Sequence, residues 1–129
     1  EEHRNICDAL MSAIGTTAWV EDEELMDAVT GLSGSGPAYV FHMVEAMIQA
    51  GIAAGLPEDL AKTLAKVTVA GAGELALTST DSVEQLRKNV TSPNGTTAAG
   101  LDVLMKDSAL TRLMTETVAA AVKRSKELG

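Results

Sequence analysis

Apolar residues recur at helical spacing along most of the chain. Ile6, Ala9, Leu10, Ala13 and Ile14 share one face and predict an amphipathic helix over residues 1–14, ended by Gly15. Thr16-Thr17-Ala18-Trp19-Val20 is short and β-branched, which makes it the strand candidate. A single strand has nothing to pair with, so residues 1–20 read as the tail of a sheet-containing domain. The acidic run Glu21-Asp22-Glu23-Glu24 then favours a helix start through the macrodipole, with Leu25, Met26, Ala28 and Val29 as a short apolar face.

Beyond that run the whole pattern is helical. Ser33-Gly34-Ser35-Gly36-Pro37 predicts a break, with Pro37 suited to the first position of a new helix. That helix runs to about Ala54 on a stripe of Val40, Met43, Val44, Met47 and Ile48, and Gly55-Leu56-Pro57 stops it. A second long helix continues to about Leu77, with Leu60, Leu64, Val67, Gly71 and Leu75 on one side. After a loop at Thr78-Ser79-Thr80-Asp81, Ser82-Val83-Glu84-Gln85 matches a capping box opening a short helix to Asn89. Thr91-Ser92-Pro93-Asn94-Gly95-Thr96 is the second strong break. A helix of Ala98–Leu104 type follows, then a last one on Leu110, Leu113, Met114, Thr117 and Ala121.

Composition sharpens this picture. Hydrophobic residues make up 46% of 129 but aromatics only 2%, so the core must be built from Ala, Leu, Val and Met, which suits close helix packing. Ala46, Ala50, Gly51, Ala54 and Gly55, like Ala70, Gly71, Ala72 and Gly73, make parts of the long helices unusually small. Interior glycine costs about 1 kcal/mol relative to alanine, so these stripes point to close backbone approach, either within the chain or between subunits. At 13.4 kDa a compact fold should expose roughly 6,500 Å² and bury about two thirds of the extended chain's surface. That is enough for a core without staples.

Ten basic and eighteen acidic residues give 10 − 18 = −8. Such a surface repels phosphate backbones and anionic lipids, which argues against nucleic-acid and membrane roles. Mean hydropathy is +0.12 and no apolar run has the length of a membrane span, so the expectation is a soluble protein. One Cys and two His fit a reducing compartment and no zinc site, and no targeting segment opens the chain.

Chemistry concentrates at the two breaks. Gly34-Ser35-Gly36 lacks the third glycine and the preceding strand of a dinucleotide fingerprint, so helix capping by Ser33 or Ser35 is its simplest role. Ser92-Pro93-Asn94-Gly95-Thr96-Thr97 is more informative. Asn94-Gly95 tolerates positive φ and feeds directly into a helix whose first N–H groups, near Gly95, Thr96 and Thr97, lack intrahelical partners. Such a terminus binds phosphate or carboxylate; the competing role is an ordinary N-cap by Thr96. His42 and Glu45 form a helix-face pair, His3 and Cys7 an idle one, and the six Met residues are core filler. No Gly-x-Ser-x-Gly elbow or nucleophile–base set exists.

Leu32-Ser33-Gly34-Ser35-Gly36-Pro37-Ala38-Tyr39, Gly55-Leu56-Pro57 and Lys88-Asn89-Val90-Thr91-Ser92-Pro93-Asn94-Gly95-Thr96-Thr97 stand in the order and spacing of pyrroline-5-carboxylate reductase, which the whole chain resembles. Residues 1–21 resemble the end of that family's nucleotide-binding domain, and residues 22–129 its helical dimerisation and substrate-binding domain. The resemblance implies an all-α fold, a multi-helix dimerisation domain with interlocking long helices, preceded by a residual helix and strand from a Rossmann-type domain. It departs from the family pattern at Asn94, where Gly is more usual, and at Thr80, where some relatives carry Glu.

The implied activity is NAD(P)H-dependent reduction of 1-pyrroline-5-carboxylate to L-proline, the last step of proline biosynthesis, in the cytoplasm. NADPH or NADH would be held mainly by a domain upstream of this chain, leaving the chain inactive alone. No cofactor-binding residue is assigned within it, and no metal is implied. By carry-over, Ser92, Asn94, Gly95, Thr96 and Thr97 bind the substrate carboxylate, and the Thr97 hydroxyl is the catalytic group near the ring nitrogen. The implied partners are a second copy joined through the long helices, with assembly beyond the dimer left open, and a small imine carboxylate. Two other readings stay open: a non-catalytic helical dimerisation module, and a related NADP-dependent reductase of another small carboxylate.

Overall fold

The computed structural model describes residues 2–129, so Glu1, part of the first expected helix, lies outside the described residues. Its α-helices are α1 (Glu2–Met11), α2 (Met26–Val29), α3 (Gly36–Ala53), α4 (Glu58–Thr78), α5 (Val83–Asn89), α6 (Thr96–Met105) and α7 (Ala109–Leu128).

Turns at 12–14 end α1 before Gly15, three residues short of the expected end. Residues 16–20 are assigned to neither helix nor strand, which corrects the expectation of a residual strand. The reason is physical: a strand is defined by its ladder, and none of the described residues pairs with this segment. It is pinned to α1 instead. The Trp19 indole N–H donates to Asp8 at 2.8 Å, and the Arg4 guanidinium lies 4.4 Å from the Trp19 ring centre while pairing with Glu21 at 2.6 Å.

The second helical region starts as the acidic run predicts, with Asp22 accepting from the Glu24 N–H at 2.9 Å and a 3₁₀ turn over Glu23–Leu25 leading into α2. The expected break at Ser33–Pro37 narrows to a single bend at Ser35. Before it the backbone widens into a π-helical turn over Thr30–Gly34, and after it α3 opens with Pro37 in its first turn. Ser35 stands at the N-cap of that helix, but its side chain makes no capping bond; the Ser35 N–H bonds the Thr30 carbonyl at 2.9 Å. Gly31 lets the π turn lie close against α7. A β-carbon there would lie 2.7 Å from Val122 Cγ2 and 3.2 Å from the Val118 carbonyl, so only glycine lets this turn seat on α7. Ser125 donates to Asp27 at 2.6 Å on the same contact, and the Tyr39 hydroxyl donates to the Gly31 carbonyl at 3.0 Å.

α3 and α4 form an αα-hairpin turned at Gly55, whose φ of 99° no β-carbon favours. Their seam is made of small residues: a β-carbon on Gly51 would stand 3.3 Å from Ala61 Cβ, and Ala61 and Ala65 are 2% and 5% exposed. The predicted stripe of Leu60, Leu64, Val67 and Leu75 is not the packed face, because these leucines are too bulky for the close approach that Gly51 and Ala61 permit. It faces outward, and Gly71 and Gly73 meet nothing within 4 Å.

The molecular surface measures 10227 Å², more than half again the roughly 6,500 Å² expected of a compact chain of this mass. Among the described residues Ala61 and Ala65 are the buried apolar side chains, while Leu32, Phe41, Leu75 and Leu77 stay exposed. The self-sufficient core expected from mass alone is therefore not formed. Helices of this composition cover one another only in part.

Candidate anion-binding site

The Ser92–Thr97 loop is held between two helices. On its upstream side α5 is capped by Ser82, which accepts from the Gln85 N–H at 3.1 Å, while Gln85 donates onward to Asn89 at 2.7 Å instead of reaching back to Ser82. Only half of the predicted capping box forms. Asn89 in turn donates to Asp81 at 3.2 Å, and the Thr91 hydroxyl donates to the Arg87 carbonyl at 2.6 Å. These bonds fix the chain just before the loop. Thr80, in the neighbouring loop, is exposed.

Ser92-Pro93-Asn94-Gly95 is closed by the Gly95 N–H donating to the Ser92 carbonyl at 3.0 Å, with Asn94 at φ 57°. Proline second and positive φ third are the pattern of a type II turn, so Asn94 takes the corner where glycine is most favoured and asparagine next. Gly95 itself sits at φ −84°, open to any residue. Its need for glycine is steric: a β-carbon would collide with the Ser92 hydroxyl and lie 3.1 Å from the Ser92 carbonyl.

Gly95, not Thr96, is the N-cap of α6, and no side chain caps the helix. The Gly95 N–H, expected to be free, is taken by Ser92. The first intrahelical bond runs from the Ala99 N–H to the Gly95 carbonyl at 3.2 Å. At this helix start the unpartnered donors are therefore the N–H groups of Thr96, Thr97 and Ala98, one position further on than the sequence suggested. They lie at the positive end of the helix dipole, and α6 has no acidic residue in its first turn to neutralise it.

The hydroxyls of Thr96 and Thr97, like those of Thr30, Thr68 and Thr111, have no hydrogen-bond partner among the described residues. Thr63, Thr78, Thr91, Thr115 and Thr117 each donate to the carbonyl four residues back, between 2.6 and 2.9 Å. Thr96 and Thr97 stand at a helix start, where no helical carbonyl lies four residues behind, and neither hydroxyl bonds another described residue. Ser92, Asn94, Thr96 and Thr97 are exposed and Gly95 is half-buried. The structure thus brings together three backbone donors and two free hydroxyls on one open surface. What it can do chemically is hold a small anion and offer a hydroxyl proton.

The other candidates remain apart. His42 and Glu45 pair at 3.0 Å on an exposed face of α3, and Cys7 is exposed on α1. Among the described residues no group of three or more His, Cys, Asp and Glu side chains is placed to hold a metal ion, and no helix is long and apolar enough to cross a membrane. The apolar groove of Leu32, Leu110, Met114 and Val118 beside α7 was not foreseen. Its signal was present in the stripe of α7, but the sequence could not show that Leu32 joins it.

Known proteins resemble this chain in sequence and fold. The family profile described as pyrroline-5-carboxylate reductase dimerisation matches residues 23–128. A pyrroline-5-carboxylate reductase of Pisum sativum is 49% identical over 128 residues, covering 99% of this chain and 46% of the relative. One from Synechocystis is 49% identical over 121 residues, covering 94% and 45%. A pyrroline-5-carboxylate reductase structure from Coxiella burnetii superposes with a TM-score of 0.95 at 40% identity, covering all of this chain and 47% of that one. The Plasmodium falciparum enzyme, solved with NADP bound, superposes at 0.84 and 36% identity, covering 98% and 50%. The chain spans about half the length of the curated relatives it matches.

Proposed function

The chain belongs to the pyrroline-5-carboxylate reductase dimerisation family, and on that premise we propose that residues 22–129 are the helical dimerisation and substrate-binding part of an enzyme reducing 1-pyrroline-5-carboxylate to L-proline. Residues 1–21 are the tail of its nucleotide-binding domain. The observation that carries the reading is the uncapped start of α6, which leaves the N–H groups of Thr96, Thr97 and Ala98 unpartnered where the family resemblance is most specific.

The substrate carboxylate is the anion these donors suit, and a carboxylate at a helix start needs no basic side chain. Ser92 and Asn94 shape the turn, Gly95 keeps the Ser92 side free of a β-carbon, and Thr96 extends the donor surface. The Thr97 hydroxyl stands free to hydrogen-bond the ring nitrogen and orient it. Anchoring the ring at both points is positioning, which by itself accounts for several kcal/mol of barrier. The enzyme's cofactor is a nicotinamide dinucleotide, as the NADP-bound relative supports. Gly34-Ser35-Gly36 does not fit its pyrophosphate: the segment leads from a π turn into α3 with no strand before it, so that frame is not built there. The cofactor belongs to the part of the enzyme preceding this chain.

Two copies join through the apolar faces that one chain leaves open, including Phe41 of α3 and Leu75 and Leu77 of α4. The full-length protein is expected to oxidise NADPH only when 1-pyrroline-5-carboxylate is present and to release L-proline. NADPH oxidation with a different imine carboxylate and none with this one would replace the substrate while keeping the site.

A further inference from the structure

We infer that Asn94 is a site of spontaneous backbone modification, the loss of its side-chain amide nitrogen through ring closure onto Gly95. The inference stands apart from the proposed reaction, because it needs only the conformation and chemistry of the loop. The chain has three asparagines, and the structure treats them differently. Asn5 lies within α1 and is followed by the branched Ile6. Asn89 has both polar atoms engaged, donating to Asp81 at 3.2 Å and accepting from Gln85 at 2.7 Å, and is followed by the branched Val90. Asn94 is exposed, its side chain has no hydrogen-bond partner among the described residues, and the next residue is glycine.

The reaction needs the backbone nitrogen of the following residue to reach the side-chain carbonyl carbon. Gly95 presents no β-carbon to obstruct that approach, and Asn94 at φ 57° stands at an exposed corner outside any helix. The Gly95 nitrogen loses its proton to water or hydroxide and attacks Cγ of Asn94. The Cγ–Nδ2 bond breaks, and the amide nitrogen leaves as ammonia with a proton from water. Water then opens the five-membered imide at one of its two carbonyls, giving aspartate or isoaspartate, with no change in oxidation state. Two features of the fold bear on the rate in opposite directions. The positive end of α6, one residue on, stabilises the negative charge that develops on the Gly95 nitrogen. The bond from the Gly95 N–H to the Ser92 carbonyl, 3.0 Å long, must open first. The product places a new negative charge beside the Thr96, Thr97 and Ala98 N–H groups, where it competes with any bound anion.

The full-length protein, assembled and folded, is incubated in mildly alkaline buffer, and its peptides are read by mass spectrometry and by isoaspartate-specific methylation. The expected result is a gain of one mass unit with isoaspartate at position 94, faster as pH rises, while Asn5 and Asn89 stay intact. Asn94→Gly, incubated in parallel, should show no gain in that peptide. Modification of Asn94 only after unfolding in urea would overturn the inference, since the Ser92 bond or the assembly would then protect the folded loop. Equal modification at Asn5 or Asn89 would overturn it as well.

Discussion

α5 and α6 begin within fourteen residues of each other and are started in opposite ways. At α5 the Ser82 hydroxyl takes the Gln85 N–H at 3.1 Å, Glu84 sits in the first turn, and Arg87 and Lys88 complement the far end. At α6 the cap is a glycine, no acid occupies the first turn, and two threonine hydroxyls stay free. Exposed N–H groups can be left to water, so the open start costs the fold little. What it provides is a set of aligned donors with no side-chain cap or first-turn acid among the described residues to quench them. The contrast separates a helix start built for stability from one that suits a ligand.

That contrast can be broken or sharpened by substitution. The largest effect is expected from Gly95→Ala, whose β-carbon collides with the Ser92 hydroxyl and shifts the first turn of α6. Displacing reacting groups by about 1 Å costs on the order of 100-fold, so kcat/KM of the full-length enzyme should fall at least that far. Stability should fall too, by about 1–3 kcal/mol, as for other overpacked sites. Thr97→Val comes next. Losing one hydrogen bond to a charged or polarised group costs about 1.5–3 kcal/mol, a drop of about 10- to 150-fold in kcat/KM. Because Thr97 caps nothing, the melting temperature should stay put. A lowered melting point with normal turnover would return Thr97 to a structural role.

Ser82→Ala should invert this result. Removing an N-cap hydroxyl costs about 1 kcal/mol, read as a lower melting temperature with kcat/KM unchanged. The smallest effect belongs to a third helix start. α4 has no side-chain cap and opens on Glu58 and Asp59. A hydrogen bond from Lys62, reinforced by its charge, holds the Glu58 carboxylate below its usual range, and Glu58 raises the Lys62 ammonium in return. A depressed carboxylate contributes stability above its unfolded pKa and loses it as pH falls through the folded one. The raised lysine contributes below its unfolded pKa and loses it as pH rises through the folded one. The pair therefore works between these limits, and both groups face solvent. Lys62→Met should flatten the acid limb of a melting-temperature profile only slightly.

Local signals were legible wherever neighbours in sequence decide the structure. Gly36-Pro37 and Gly55-Leu56-Pro57 mark the ends of α3 to within a residue, and the Asn94 corner follows from the conformations open to asparagine. What was hidden depends on residues distant along the chain. The π turn at Thr30–Gly34 seats on α7 through Gly31 against Val122, a contact no local pattern reveals. The packed face of α4 is Ala61 and Ala65 because Gly51 lies opposite, whereas hydrophobic spacing favoured the bulkier Leu60 and Leu64. The estimate of a compact surface assumed that the chain covers itself. Likewise, the first free donor moved from Gly95 to Thr96 once the turn claimed the Gly95 N–H.

The central claim, that the start of α6 holds the substrate carboxylate, is tested most directly by amide hydrogen exchange on the full-length protein with and without saturating L-proline. The predicted result is slowed exchange at Thr96, Thr97 and Ala98, with exchange at Val83, Glu84 and Gln85 unchanged. Protection elsewhere in the molecule, with the Thr96–Ala98 amides exchanging as fast as in the free protein, would contradict the account.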